Sequence, residues 1–291
     1  MPEIPGMSDR LPHDKTPLDN EYVPNQARVL ETRELAPGVR HFVLEFVDPG
    51  LKEAFSFCSG QFLQVSLLGI GEAPISICSP PTKRDTFELC VREAGNLTGA
   101  LHRLRPGDPL WVRGPYGQGF PLAEMAGRDL VFIGGGIGLA PLRSAIDCAV
   151  CLNEEFGELT VLYGARNPEN LLFTDEYDIW RQQGRVEVIV DEAPPEWRGR
   201  TGMITALFDV VELKPANTSV LICGPPVMFR FVLGRLKELG FDDAQIFISL
   251  ERHMRCGVGK CEHCVVESFY TCRQGPVLSI DQIRGISSAL R

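Results

Sequence analysis

The sequence contains no apolar run that approaches the roughly 20 residues needed to span a membrane. Its first 22 residues also lack the apolar stretch of a secretory signal, and we therefore expect a cytoplasmic protein. Positive charge is in deficit, because 29 Lys and Arg residues face 38 Asp and Glu residues and leave a formal net charge of −9. An acidic surface repels a phosphate backbone, so nucleic-acid binding is disfavoured.

The residues that are present have the composition of a globular protein. Hydrophobic residues make up 44% and charged residues 23% of the 291 positions, which suits one large domain or two ordinary ones. Residues 1–22 are rich in proline and acidic residues, and we expect them to form a disordered or partner-binding arm. Residues 23–125 contain short apolar runs broken by Gly and Pro, a pattern that predicts an antiparallel β-barrel.

The pattern changes near Arg128. Over residues 126–247, apolar runs typical of buried strands alternate with helical stretches, which predicts a doubly wound parallel sheet with helices on both faces. The predicted helices cover residues 140–152, 172–183, 204–211 and 227–239, and a shorter helix in the barrel covers 97–104 with Asn96 as its cap. Residues 248–291 form a third unit with clustered cysteines and an amphipathic tail. The predicted fold class is therefore all-β followed by α/β.

Cysteine usage indicates a reducing compartment. Ten cysteines are present, and six of them are scattered among apolar segments. These six are Cys58, Cys78, Cys90, Cys148, Cys151 and Cys223. The other four lie together near the end of the chain, which favours a metal site over a framework of disulfides.

The four clustered cysteines follow the spacing C-x4-C-x2-C-x7-C. They are Cys256, Cys261, Cys264 and Cys272. This spacing is close to the plant-type [2Fe–2S] pattern, and thiolates are soft anionic ligands suited to iron–sulfur clusters. Glycines 257 and 259 allow positive φ angles that turn backbone N–H groups toward the sulfurs. The alternative is a zinc site with four cysteine ligands, although zinc sites usually pair two short C-x2–4-C motifs.

A glycine turn follows the first predicted strand of the α/β unit and opens a helix. It contains Gly134, Gly135, Gly136 and Gly138. Such a turn places backbone N–H groups and the positive end of a helix against a pyrophosphate, although a tight strand–helix turn without a ligand has the same pattern. A second turn, which contains Cys223, Gly224, Pro225 and Met228, ends a later strand. Ligands of doubly wound sheets bind at this edge, so the two turns together predict a dinucleotide site.

The order of barrel, glycine turn, Cys-Gly-Pro-Pro-x-Met and cysteine motif resembles the ferredoxin-NADP reductase superfamily. Within it, the chain is similar to FAD- and [2Fe–2S]-containing electron-transfer subunits. These include the gamma subunit of cytosolic sulfhydrogenase-type [NiFe] hydrogenases and the corresponding subunits of anaerobic sulfite reductase and dihydroorotate dehydrogenase. The segment from Leu250 to Cys261 carries the most specific part of the resemblance, and the x7 gap favours the hydrogenase and sulfite-reductase branch.

The resemblance implies an FAD site in the barrel. The family's flavin motif, Arg-x-Tyr-Ser, aligns with 73–76, so that Pro74 and Ile75 would lie at the flavin ring and Ser76 near flavin N5. Ala73 replaces the arginine that contacts the pyrophosphate. Arg92, or the backbone of the turn that contains Gly95, Leu97 and Thr98, would substitute for it. Without the resemblance, Pro74–Ser76 would be taken for an ordinary edge strand.

The implied function is electron transfer between NAD(P)H and a partner protein through FAD and a [2Fe–2S] cluster. Ser76 and Cys223 would be the residues closest to the chemistry, and Cys223 would face the nicotinamide. Arg166, at the end of a strand, slightly favours NADPH by pairing with a 2′-phosphate. The expected partners are subunits of a hydrogenase or a sulfite reductase. Two alternatives remain open, a stand-alone reductase that serves a diffusible ferredoxin and a non-catalytic redox sensor.

Overall fold

The computed structural model describes residues 20–285 of the chain. Most of the predicted N-terminal arm (1–19) and the end of the predicted C-terminal tail (286–291) lie outside this range. No helix between residues 20 and 285 combines the length and the apolar character that a bilayer crossing demands. The described residues form two large sheets and one small hairpin.

Six antiparallel strands build the first sheet, in the order β4-β3-β6-β1-β2-β5. Their bounds are β1 (Asn25–Ala36), β2 (Val39–Phe46), β3 (Phe62–Leu67), β4 (Gly71–Ser76), β5 (Phe87–Arg92) and β6 (Pro109–Tyr116). A bridge between Ile77, directly after β4, and Leu89 of β5 joins the two edges, so the sheet closes into the predicted barrel. Leu63 and Val65 point into its apolar core. The alternate residues of β3 therefore face outward.

Two short helices accompany the barrel, α1 (Pro49–Ala54) and α2 (Asn96–Leu101). The prediction for α2 was wrong at both ends. Gly95, and not Asn96, is the N-cap. The backbone N–H of Gly95 donates to the hydroxyl of Thr98, with 2.9 Å between nitrogen and oxygen. Beyond His102 the N–H groups of Arg103 and Leu104 bond three residues back instead of four, which ends the helix in a tight turn.

The second sheet is parallel, in the order β10-β9-β8-β7-β11-β12. Its strands are β7 (Asp129–Gly135), β8 (Leu159–Ala165), β9 (Gly184–Val190), β10 (Arg200–Thr201), β11 (Thr218–Cys223) and β12 (Ile246–Ser249). Three helices pack on it, namely α3 (Leu139–Cys151), α4 (Tyr177–Arg181) and α5 (Pro226–Glu238). Phe132 of β7 joins the core beneath α3 and α4, while Val131 and Ile133 join the core beneath α5. This alternation confirms the predicted doubly wound arrangement.

Two helices of this unit differ from the prediction. The helix predicted over residues 172–183 covers only Tyr177–Arg181, because Phe173 has a φ of 52°, which a helical residue does not adopt. The predicted helix 204–211 is a 3₁₀-helix, Ile204–Asp209.

The cysteine segment contains strands β13 (Val265–Val266) and β14 (Phe269–Tyr270), helix α6 (Thr271–Gln274) and strand β15 (Val277–Ser279). Strand β15 pairs antiparallel with β12 and covers what would otherwise be an exposed edge of the parallel sheet. The predicted third unit, 248–291, is thus continuous with the α/β sheet. The physical reason is that the four-residue strand β12 has unpaired backbone groups on its outer side until β15 binds there.

Candidate functional site

The glycine turn and the Cys-Gly-Pro turn lie side by side, as their positions in the sequence predict. Strands β7 and β11 are parallel neighbours, and Cys223 is opposite Gly134. The backbones touch so closely that a Cβ on Gly138 would lie 2.4 Å from the carbonyl oxygen of Cys223. A Cβ on Gly135 would lie 2.6 Å from the sulfur of Met228. Glycine is therefore required at both positions for close packing of the two turns.

A cleft of about 470 Å³ opens in front of the two turns. It is lined by predicted site residues from both turns, namely Gly135, Gly136, Gly138, Gly224, Pro225 and Met228, and also by Arg166. The exposed Arg166 makes no ion pair with any residue between 20 and 285. Asp191, which sequence reasoning missed, lines the same cleft, and its backbone N–H bonds to the carbonyl of Ala165 at 3.0 Å. The cleft is therefore lined by one positive and one negative side chain, beyond the ends of β8 and β9.

A second cavity, of about 250 Å³, lies between the barrel and the α/β sheet. The predicted flavin residues Pro74, Ile75 and Ser76 line one side of it, and Cys223 lines the other. Arg92 lines this cavity and the nucleotide cleft alike, so the two spaces adjoin. A flavin ring in the second cavity and a nicotinamide from the first would meet beside Cys223.

The predicted pyrophosphate contacts are only partly assembled. Arg92 is exposed and has no ion pair among residues 20–285, so its guanidinium is available to a phosphate. Ala94 lines the second cavity, but the residues predicted to bind the pyrophosphate through their backbone, Gly95, Leu97 and Thr98, do not. The Thr98 hydroxyl accepts the N–H groups of Ala94 and Gly95 at 2.8 and 2.9 Å, so these two donors are already used. Of the two substitutes predicted for the missing arginine, Arg92 fits an anionic group better.

Cys223 is fully buried and its thiol stays neutral. Burial is the largest cause that raises its pKa well above the ordinary value, and the nearby carboxylate of Glu251 raises it further. A neutral thiol is a poor nucleophile, so a positioning role suits Cys223 better than covalent catalysis. Glu251 lines both cavities and is a second residue that sequence reasoning did not assign.

The cysteine loop directs backbone N–H groups at sulfur. The N–H groups of Val258 and Lys260 point to the Sγ of Cys256 at 3.4 and 3.3 Å, and that of Gly259 points to the Sγ of Cys272 at 3.2 Å. Gly257 and Gly259 have φ angles of 77° and 72°, as predicted from the need to turn the backbone inward. The donor set therefore fits a thiolate-bound iron–sulfur cluster.

The four thiols lie in two pairs. Cys264 and Cys272 are buried, and burial, followed by a hydrogen bond that the thiol of Cys272 donates to Cys264, raises the pKa of Cys272 to about 12. Cys256 and Cys261 are half-buried at the surface of the loop. Burial opposes ionisation of Cys261, but hydrogen bonds from the loop backbone and from Cys256 lower its pKa to about 7. One pair thus faces the interior and the other faces solvent.

Two apolar side chains connect the flavin cavity with the cysteines. Phe62 and Met254 line the second cavity. The same two residues pack in one apolar cluster with Cys264 and Cys272. Phe62 and Met254 therefore form a layer of side chains that borders both the space predicted for the flavin and the inner pair of thiols. Sequence reasoning missed Phe62, because only the outward register of β3 turns it toward the cysteine segment.

A buried ion network anchors helix α3, and with it the glycine turn, to the barrel. Arg143 of α3 donates to Glu88 of β5 at 2.6 Å, to the carbonyl of Cys78 at 2.8 Å and to Glu176 at 2.6 Å. These bonds hold both walls of the flavin cavity in register. Nothing in the local sequence around Arg143 indicates this role, because its partners come from distant segments.

Family models cover all three parts of the chain. A model described as an oxidoreductase FAD-binding domain matches residues 26–120, and one described as an oxidoreductase NAD-binding domain matches residues 132–233. A third, described as the iron-sulfur cluster binding domain of dihydroorotate dehydrogenase B, matches residues 251–284. These ranges coincide with the barrel, the α/β unit and the cysteine segment.

Among curated proteins, sulfhydrogenase 1 subunit gamma of Pyrococcus furiosus is 41% identical over 271 residues, which cover 90% of this chain and 93% of that protein. The chain belongs to the family of the sulfhydrogenase gamma subunits. The sulfhydrogenase 2 subunit gamma of the same organism is 38% identical and covers 89% of this chain and 96% of its own length. A probable dihydroorotate dehydrogenase B electron transfer subunit of Methanocaldococcus jannaschii is 32% identical, over 89% of this chain and 91% of that protein.

Solved structures share the fold of this family. A chain of an NADH-dependent reduced ferredoxin-NADP oxidoreductase superposes with a TM-score of 0.71 at 22% identity, over 89% of each chain. The cytochrome b5 reductase domain of Ulva prolifera nitrate reductase gives a TM-score of 0.66 at 18% identity, over 80% of this chain and 98% of that one. From its family and its three parts, this chain is an NAD(P)H oxidoreductase of the electron-transfer type, with FAD-binding, NAD-binding and iron–sulfur-binding parts.

Proposed function

We propose that this chain passes electrons between NAD(P)H and a partner redox enzyme through FAD and a [2Fe–2S] cluster. The observation that carries the proposal is the shared layer of Phe62 and Met254, which line the flavin cavity and pack against the inner cysteines. A flavin couples the two-electron chemistry of a nicotinamide to the one-electron chemistry of an iron–sulfur cluster. The chain supplies the two sites and the short separation between them.

The arrangement of the thiols favours a binuclear iron cluster over zinc. Four thiolates around one zinc ion at about 2.3 Å would bring every pair of sulfurs to within about 4 Å. Among residues 20–285, the four clustered cysteines are not gathered into one compact group of metal ligands. Two separate pairs, Cys256 with Cys261 and Cys264 with Cys272, suit two irons that each take two thiolates.

Ser76 and Cys223 are proposed to orient the two rings. They line the same cavity from opposite domains, which supports a place for both rings in the space between them. Neither residue has to move a proton, and the raised pKa of Cys223 keeps its thiol neutral beside the rings. Arg92, which borders both cavities, is proposed to bind a pyrophosphate.

NADPH is the proposed nicotinamide cofactor. The guanidinium of Arg166 is exposed in the nucleotide cleft and has no ion-pair partner among the described residues, so it is available to a 2′-phosphate. Asp191 opposes this preference, because its carboxylate lines the same end of the cleft and would accept a bond from a 2′-hydroxyl. The choice therefore depends on which of the two side chains lies closer to the ribose.

The proposed partner is a hydrogenase of the sulfhydrogenase type, and a sulfite reductase is the alternative. The buried pair, Cys264 and Cys272, packs in one apolar cluster with Phe62 and Met254 of the flavin cavity, whereas Cys256 and Cys261 lie at the surface beside the exposed Lys260. Electrons that enter at the inner pair can therefore leave at the outer pair. A partner would dock at the Cys256–Cys261 loop.

The metal content of anaerobically purified protein tests the proposal. We expect about two irons and one FAD per chain, together with the electron paramagnetic resonance signal of a reduced [2Fe–2S] cluster after NADPH is added. One zinc ion per chain would contradict the cluster and give the cysteines a structural role. Stoichiometric co-purification with hydrogenase chains supports the subunit role, whereas purification without a partner together with turnover of free ferredoxin contradicts it.

A further inference from the structure

Arg113 of strand β6 is a buried arginine at the junction of the barrel and the cysteine loop. Its guanidinium donates to the backbone carbonyls of Cys256 at 2.6 Å and Arg255 at 3.0 Å. It also makes a two-bond ion pair with the carboxylate of Glu72, at 2.7 and 2.6 Å. Its side chain is only 8% exposed, whereas that of Glu72 is 27% exposed, so the guanidinium is the buried partner of a pair that reaches the surface. One side chain therefore holds the backbone of a cysteine ligand.

The ion pair links the cysteine loop to the strand predicted to hold the flavin. Glu72 and Ser76 both belong to β4 and are four residues apart, so their side chains leave the strand on the same face. Arg113 lies across β3 from that strand, opposite Gln64, which in turn is opposite Pro74. Any shift of the loop relative to the flavin strand has to break the bonds of Arg113.

Tyr116 completes the contact. Its hydroxyl lies 3.1 Å from Nη1 of Arg113, and its ring covers the loop so closely that a Cβ on Gly257 would lie 2.9 Å from it. The ring also packs against Phe62, at 5.7 Å between centroids. The packing that fixes the loop is thus continuous with the layer that separates the flavin cavity from the cysteines.

The charges of Arg113 and Glu72 also bear on the reduction potential of a cluster bound at the loop. Burial opposes the charge of Arg113, but the bonds to Glu72 and the neighbouring Tyr116 raise its pKa above the ordinary value, so it stays cationic. A cluster gains negative charge when it accepts an electron. A nearby cation therefore stabilises the reduced state, a nearby anion destabilises it, and low dielectric strengthens both effects.

We propose that Arg113 is a positioning residue that, with Glu72 as its counter-charge, holds the cysteine loop against the flavin-binding strand and sets the reduction potential of the cluster relative to that of the flavin. This inference rests on the proposed function, since it requires a cluster at the four cysteines. It adds a role for two residues that are neither cluster ligands nor cavity-lining groups.

Removing one charge at a time tests the proposal in the full-length holoprotein. Arg113→Gln leaves the carboxylate of Glu72 alone beside the loop and should lower the cluster potential. Glu72→Gln leaves the guanidinium alone and should raise it. We expect each to change the one-electron equilibrium between flavin and cluster about tenfold, which corresponds to about 59 mV, in opposite directions. The flavin potential should move less than the cluster potential in both variants.

A charge-conserving variant separates position from charge. Arg113→Lys keeps the positive charge but cannot donate to two carbonyls and a carboxylate in the same geometry. We expect a potential near that of the wild type, with faster hydrogen exchange of the amides over residues 255–260. Arg28→Gln is the control for the loss of a barrel ion pair, because Arg28 of β1 pairs with Glu45 and lies beside Pro109, at the opposite end of β6 from the cysteine loop.

The readouts are a potentiometric titration of the cluster signal and hydrogen exchange of the loop. Shifts of equal sign in Arg113→Gln and Glu72→Gln, or shifts no larger than that of Arg28→Gln, would overturn the proposal. If Arg113→Gln does not fold, Glu72→Gln and Arg113→Lys still decide it, the first through the sign of its shift and the second through loop exchange. A wild-type protein without a cluster signal would instead refute the proposed function.

Discussion

The glycine turn of the nucleotide cleft and the cysteine loop are both rich in glycine, but they use it differently. In the turn, Gly135 and Gly138 are needed because bare backbones pack against the Cys223 turn and leave a cleft of about 470 Å³ in front. In the loop, Gly257 and Gly259 adopt positive φ angles that aim N–H groups at cysteine sulfurs. The open cleft suits a ligand that binds and leaves, whereas the closed loop suits a group that stays.

The largest expected effect comes from removing one cysteine of the loop, a change that leaves the nucleotide cleft intact. Cys261→Ser should abolish the iron–sulfur signal and electron transfer to the partner, because one of four thiolate ligands is lost. Reduction of the flavin by NADPH should persist. Iron analysis and stopped-flow absorbance measure the two events. Cys151→Ser, at an exposed cysteine on α3, is the control. Full transfer to the partner in Cys261→Ser would contradict the relay.

The converse change disturbs the glycine turn of the nucleotide cleft and leaves the cysteine loop intact. Gly138→Ala places a Cβ 2.4 Å from the carbonyl oxygen of Cys223, so the two turns must move apart. A displacement of about 1 Å near reacting groups costs about 100-fold in rate, and we expect a loss of that order in kcat/KM for NADPH. Iron content should not change. Gly234→Ala, where the added Cβ meets nothing within 4 Å, is the control, and an equal loss there would contradict the account.

A feature of the fold or the site could be predicted from the sequence where the residues that form it are close together in the chain. The cysteine spacing and the glycine turn are local patterns, and the structure brings the residues of each together in one loop or turn. Arg113, by contrast, is 41 residues from Glu72 and 143 from Cys256, so only the order of the barrel strands brings them together. No local pattern marks such a contact.

The partly engaged donors of the predicted pyrophosphate turn could not be foreseen for a similar reason. The residue types of Gly95 and Thr98 fit a phosphate-binding helix start. The structure nevertheless shows the Thr98 hydroxyl bound to the N–H groups of Ala94 and Gly95, which a sequence pattern cannot distinguish from free donors. Asp191 was missed because the register of β8 with β9 places it beside Arg166, although the two are 25 residues apart.

A smaller effect is expected from Arg166, and it tests which nicotinamide cofactor the cleft prefers. Arg166→Gln should lower kcat/KM for NADPH about tenfold and change that for NADH little, because only the 2′-phosphate needs the guanidinium. Steady-state kinetics with both cofactors measure the difference. Asp191→Asn is the matched change of opposite charge and should favour NADPH. Equal losses for both cofactors in Arg166→Gln would contradict a 2′-phosphate contact.

The last prediction concerns the stability of the interface beneath α3 and leaves the activity unchanged. Burial raises the pKa of Asp147 from 3.8 to about 7, despite the neighbouring Arg143. The folded state therefore holds a proton that the unfolded state has lost, so the free energy of unfolding falls as pH rises from about 4 to about 7, by up to about 1.4 kcal/mol per pH unit. Asp147→Asn should weaken this decline in denaturant titrations at pH 5 and pH 8.

Asp178→Asn is the control for this change, because that carboxylate is 90% exposed. An unchanged pH dependence in Asp147→Asn would show that Asp147 is ionised throughout this range. Neither variant should alter the iron signal, since both residues lie away from the cysteine loop.

The most direct test of the central claim follows flavin and cluster together after rapid anaerobic mixing of the holoprotein with NADPH. The short separation across Phe62 and Met254 predicts that flavin absorbance falls first and that the cluster signal then appears as the flavin is partly reoxidised. A cluster that stays oxidised while the flavin is fully reduced, in protein with intact iron content, would contradict the account.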